Sequence, residues 1–169
     1  MNPSPFPGGG FFMQKTYLYP KPIIMYETVS FIHSWWAYLV LLVLIIATVN
    51  FIIGITSKKE YGATDFRLAL FGLIVSHIQL LIGLVLYFVS PYFKAFGQVG
   101  MGEVMGDSTL RLYLVEHPLM MIIAIILITI GYSKHKNKRL STSKFKTLGI
   151  FYGLGLVFVL SRIPWSAWF

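Results

Sequence analysis

The chain has 169 residues, 56% of them hydrophobic and only 12% charged, which is too apolar for the surface of a water-soluble domain of this size. Its formal net charge is +8, from 14 Lys and Arg against 6 Asp and Glu. In a soluble protein that excess would raise nucleic acid as a partner. Here six of the bases, Lys134, Lys136, Lys138, Arg139, Lys144 and Lys146, crowd one joint between two apolar runs, where they read as a topology determinant beside anionic lipid. With no cysteine, disulfides, thiolate ligands and covalent c-type haem attachment are excluded.

The opening stretch MNPSPFPGGGFF is rich in Pro and Gly, lacks periodicity, and is not a signal peptide, because no small-residue cleavage site ends the first apolar run. Residues 1–30 therefore read as an extracytoplasmic arm, with Met13 and Met25 as alternative starts. Beyond it, apolar runs of about 20 residues recur four times, each long enough to cross a hydrocarbon core of about 30 Å. The joints between them are too short for a further domain. The expected fold is all-α: a four-helix transmembrane bundle over residues 31–169, with helices near 31–55, 66–90, 110–132 and 145–163.

The first of these helices opens on Ser30 as a cap, with Trp35 and Trp36 where an interfacial aromatic belt would lie. In the second, Gly72, Ser76, Gln79, Gly83 and Tyr87 recur at three- and four-residue spacing, a small and polar stripe suited to face other helices. His77 stands about 100° around from it and needs a second buried face or a cofactor. The joint from Pro91 onward carries Gly97, Gly100, Gly102 and Gly106 and is long enough for a short surface helix or a lid, with Asp107, Ser108 and Thr109 suited to cap the third helix. That helix presents Tyr113, His117, Met120 and Ala124 as an inward stripe, and Pro118 strips the Leu114 carbonyl of its amide donor. The fourth contains Gly149-x-x-x-Gly153, a close-packing signal. Nine bases fall on the joints after the first and third helices, against Lys15, Lys21, Lys94, Arg111 and Arg162 on the other side. The positive-inside rule then places both termini outside an inner (plasma) membrane: N-out, C-out.

Ionisable groups inside hydrocarbon are costly and mark function. His33, His77 and the pair Glu116–His117 qualify, whereas His135 in the basic joint reads as solvated. Helical rise puts His77 and His117 at similar depth, with His33 near the headgroups. Two imidazoles across a bundle can ligate a haem iron axially, so His77 and His117 are the expected ligands of a haem b, with His33 at its edge and Arg111 and Arg162 near its propionates. His33 with His117 is the second choice of pair. No short metal-ligand spacing, phosphate loop, nucleophile elbow or dinucleotide fingerprint occurs. Each histidine has a plainer reading as a hydrogen-bonded interhelix contact, and Glu116 as an ion pair with Arg111.

These elements also form a family pattern. His33-Ser34-Trp35, Ser76 to Gly83, Gly100 to Met105, Val115 to His117 and Ser161 to Trp165 together resemble small four-helix "cytochrome b"-like proteins of Bacteroidetes-type bacteria. The likeness spans about residues 30–166 and leaves out the opening 24 as an extension. It implies haem and a bacterial inner membrane. The expected function is b-type haem binding for electron transfer, with quinone or a larger respiratory complex as partner. The alternative is a cofactor-free structural or accessory subunit.

Overall fold

The computed structural model describes residues 20–167. Of the arm expected over residues 1–30, the first 19 residues lie outside the described part. Helix α1 covers Pro20–Thr56, α2 Ala63–Val89, α3 Pro91–Gly106 and α4 Ser108–Arg111. A π-helical turn, Leu112–Glu116, leads into α5, His117–Lys136; α6, Ser141–Ser161, is followed by a 3₁₀ turn, Trp165–Ala167. Among the described residues four stretches are long and apolar enough to cross a membrane: Ile24–Thr56, Ala63–Val89, Ser108–Lys136 and Ser141–Ser161.

α1 starts at Pro20 and not near residue 31, so residues 20–30 are helical and Ser30 lies within α1 instead of capping it. The lysines of the short joint 57–62 and of 137–140 gather at one end, where the Tyr61 amide donates to Ser141 Oγ at 3.1 Å. At the other end lie α3, α4 and the turn after α6. The long joint thus supplies a surface helix. Asp107 caps α4, its Oδ1 accepting from the amides of Thr109 and Leu110, both at 2.8 Å.

α1 packs along α2 and α6, and α6 along α5, while α2 and α5 touch more sparsely. The order around the bundle is α1, α2, α5, α6, with α1 and α5 diagonal. Hydrocarbon offers helices no hydrophobic drive to associate, so small residues and polar bonds hold them together. Gly149 packs on Phe51 and Ile55, and Gly153 on Thr48, which seats the Gly-x-x-x-Gly seam against α1. The main core, Leu44, Ala47, Phe51, Ala69, Ile128, Phe145, Leu148 and Tyr152, fills the lysine-rich half. Within it the Tyr152 hydroxyl donates to the Ala69 carbonyl at 2.6 Å.

Two placements correct the sequence reading. Trp36 does not sit in an interfacial belt: its Nε1–H donates to the Val75 carbonyl at 3.0 Å and bridges α1 to α2, while Trp35 stays exposed. His135 is not solvated; it is 1% exposed, walled by the rings of Tyr61, Phe66 and Tyr132. The aromatic residues around the basic joint close over it, and Lys136 and Lys144 lie on the faces of Tyr132 and Tyr61. Burial, and then the nearby Asp65 carboxylate, push the Tyr61 hydroxyl above its ordinary pKa.

Candidate functional site

The half of the bundle away from the lysines is hollow. A cavity of about 460 Å³ lies between α1, α2, α5 and α6, walled mainly by aliphatic and aromatic side chains. Its polar lining includes Ser30, His33, Ser34, Ser76, Gln79 and His117, with Tyr26, Tyr87, Tyr92 and Tyr113 toward its outer end. Of the stripe read on the second helix, Ser76, Gln79, Gly83 and Tyr87 face this space, and Gly72 packs below it on Tyr152 and Leu44. Of the stripe read on the third helix, Tyr113 and His117 line the cavity and Ala124 is buried against Val159 and Ile163, whereas Met121 and Ile125, not Met120, continue the cavity wall.

His33 and His117 meet across this space from diagonal helices, ring centres 6.2 Å apart and nearly perpendicular at 78°. His33 lies level with Gly83 of α2 and with His117, whereas His77 lies level with Thr129, roughly 18 Å along α5 from His117, so the similar depth expected of His77 and His117 does not hold. Gly83 makes the room: a Cβ there would stand 3.1 Å from His33 Cε1. Gln79 Nε2–H donates to the His33 carbonyl at 3.0 Å and lies 3.4 Å from His33 Nε2. An amide N–H facing Nε2 makes that nitrogen the acceptor and assigns the ring proton to Nδ1. That Nδ1–H is buried without a partner, and so is Gln79 Oε1.

His117 Nδ1–H donates to the Arg162 carbonyl at 2.8 Å, which leaves the Nε2 lone pair unprotonated. The local backbone sets up this geometry. Pro118 has no amide, and the preceding π turn gives the His117 amide to Leu112. The freed Leu114 carbonyl accepts instead from the Tyr87 hydroxyl of α2 at 3.2 Å. Glu116 turns away to the rim and pairs with both Arg111 (3.0 Å) and Arg162 (3.2 Å). The two cations expected near haem propionates are thus engaged by one carboxylate. Above the cavity Tyr92 stacks flat on Tyr113, centres 4.6 Å apart. Burial, then Asp107, raise the Tyr92 pKa.

His77, the other expected ligand, is not among the residues that line the cavity. Its Nδ1–H donates to the Leu73 carbonyl at 2.8 Å, and Nε2 lies 3.5 Å from Thr129 Oγ1 on α5. The structure therefore brings together His33 and His117, the second-choice pair, and leaves His77 aside. Among the described residues no group of three or more His, Cys, Asp or Glu is placed to hold a metal ion. Sequence reasoning also missed the Gln79 clasp on His33, although the spacing of Gln79 within its stripe placed it on the correct face.

The fold and cavity define a multi-pass helical membrane protein embedded in a bilayer, with a largely apolar chamber in one half of the bundle. No protein-family model, curated protein or solved structure matches the chain.

Proposed function

We propose that this protein is a small accessory subunit of a bacterial inner-membrane complex, with no bond-making residue of its own. The observation that supports it is how the bundle uses its polar side chains. Trp36, Gln79, Tyr87, His117 and Tyr152 each donate to a backbone carbonyl of another helix or its flanking turn, and this holds the helices in register. Cross-linking in native membranes, followed by blue-native electrophoresis, tests the reading. The chain should migrate in one defined larger assembly, and loss of the chain should reduce that assembly. Migration as a lone chain before and after cross-linking would exclude the accessory role.

A second reading, haem b held by His33 and His117, is favoured by their 6.2 Å separation. Two iron–nitrogen bonds of about 2 Å plus the two ring radii put imidazole centres roughly 6 Å apart. His117 fits the ligand role, since its Nδ1–H is anchored on a carbonyl and its Nε2 is free. His33 fits less well. Gln79 must withdraw from Nε2, and the Nδ1–H lacks the acceptor that a ligating imidazole normally has. A bound haem would supply one-electron transfer at this site. The reading requires a haem absorption band in gently extracted protein, lost in His33→Ala and His117→Ala but retained in His77→Ala. Absence of any band from cells supplied with haem rejects it.

A further inference from the structure

Part of the cavity wall is also the outer surface of the bundle. Leu84 and Phe88 of α2 and Ile122 of α5 line the cavity and are also 40%, 59% and 39% exposed on the outer face of the bundle. Leu84 and Ile122 stand between the two levels at which α2 is tied across to the α5 side, the His77–Thr129 contact and the Tyr87–Leu114 bond, and Phe88 lies one residue beyond Tyr87. From His77 to Tyr87 is roughly 15 Å along α2. That stretch lies in the Val89 half of the membrane-spanning segment Ala63–Val89, so what passes between α2 and α5 at Leu84 and Ile122 comes from the lipid.

The chemistry inside is neutral. Among the described residues no Lys, Arg, Asp or Glu lines the cavity, and the nearby Arg111 and Arg162 are engaged with Glu116. A phospholipid headgroup therefore finds no counter-charge there. What remains is a matched set of polar atoms in an apolar chamber: a donor without acceptor, His33 Nδ1–H; an acceptor without donor, Gln79 Oε1; and the His117 Nε2 lone pair. Buried polar atoms left unsatisfied are costly, so such a set selects a ligand that supplies the missing partners.

We propose that the cavity is a binding site for an isoprenoid quinol or quinone of the membrane pool, admitted from the bilayer between α2 and α5. The quinol hydroxyls donate to His117 Nε2 and Gln79 Oε1, and a quinone carbonyl accepts from His33 Nδ1–H. The ring lies in the cavity alongside Gln79 and His117, and the tail leaves past Leu84 and Ile122 into lipid. This agrees with the accessory-subunit reading without depending on it, and it excludes a haem in the same cavity.

The test uses the full chain, extracted gently and reconstituted into nanodiscs of zwitterionic phospholipid. Bound quinone is counted by solvent extraction, and an azido-quinone photolabel is mapped by mass spectrometry. Wild-type protein should carry close to one quinone per chain, with label on α2 and α5 peptides that line the cavity. His117→Leu and Gln79→Leu should lower retention at least tenfold while melting as folded bundles. Ile122→Trp, which narrows the entrance and leaves the head contacts, should slow quinone exchange with retention kept. Equal retention in all variants, label confined to residues outside the cavity, or a stoichiometric haem in place of quinone would each overturn the proposal. The accessory role is read separately, by assembly size.

Discussion

The imidazole of His33 rests against the backbone of α2 at Gly83, where an added methyl would sit 3.1 Å from its Cε1. That is tighter than ordinary contact, but His33 borders the cavity and has room to give. Gly→Ala inside a helix gains up to about 1 kcal/mol of propensity, which the displacement of His33 offsets. Gly83→Ala is therefore expected to unfold within about 1 kcal/mol of wild type. Its effect should appear in the imidazole ¹⁵N shifts of His33, as the ring moves relative to Gln79. A clear destabilisation with unchanged His33 shifts would show that the strain goes elsewhere.

Tyr87 and Pro118 act on one acceptor, the Leu114 carbonyl. Tyr87→Phe should cost about 0.6–1 kcal/mol, the usual worth of a polar bond between membrane helices. In Pro118→Ala the restored amide competes for that carbonyl, so the same Tyr87→Phe change should cost markedly less. A double-mutant cycle in a mixed-micelle unfolding assay reads the coupling. Additive effects would mean that the two residues do not share the carbonyl.

At the lysine-rich end Asp65 is 1% exposed and accepts from Lys59 Nζ (2.7 Å), Asn50 Nδ2 (2.8 Å) and the Gly62 amide (3.0 Å). It ties α1, the 57–62 turn and α2 together. Asp65→Ala leaves Asn50 and Gly62 without their acceptor, while the half-exposed Lys59 regains water. The expected loss is about 2–3 kcal/mol, and Asp65→Asn, which keeps a carbonyl oxygen there, should lose less than half of that. Chemical unfolding in detergent measures both; equal losses would mean that charge, not hydrogen bonding, holds the turn.

The bundle was readable because four apolar runs separated by polar joints admit few other folds. The small-polar stripe of α2 and the carbonyl released by Pro118 were readable for the same reason, since helical spacing and a missing amide act locally. The histidine pairing was not. It depended on how the helices are staggered along one another: His77 meets Thr129, 12 residues beyond His117 on α5, while Gly83 brings His33 level with His117, and depth counted from the ends of the apolar runs does not reveal that offset. Nor does periodicity reveal that Gln79 clasps His33, or that aromatic rings close over His135, because both are contacts between segments far apart in sequence.

Orientation rests on charge alone, and it can be tested directly because the chain has no cysteine. The joints 57–62 and 137–140 share one end of the bundle and, with the residues flanking them, hold nine of the 14 Lys and Arg. Each basic residue near the cytoplasmic face gains about 1 kcal/mol from anionic lipid, and translocating a cluster of them is unfavourable. That end is therefore expected in the cytoplasm, and α3, with Glu103 exposed on it, outside. Asn137→Cys and Glu103→Cys, each the single thiol of its variant, report the two ends. In intact spheroplasts a membrane-impermeant maleimide should modify the Glu103→Cys protein and spare the Asn137→Cys protein until the membrane is permeabilised. The reverse pattern would invert the protein and turn the cavity half toward the cytoplasm. Labelling of both in intact cells would mean that the basic joint does not fix a single topology.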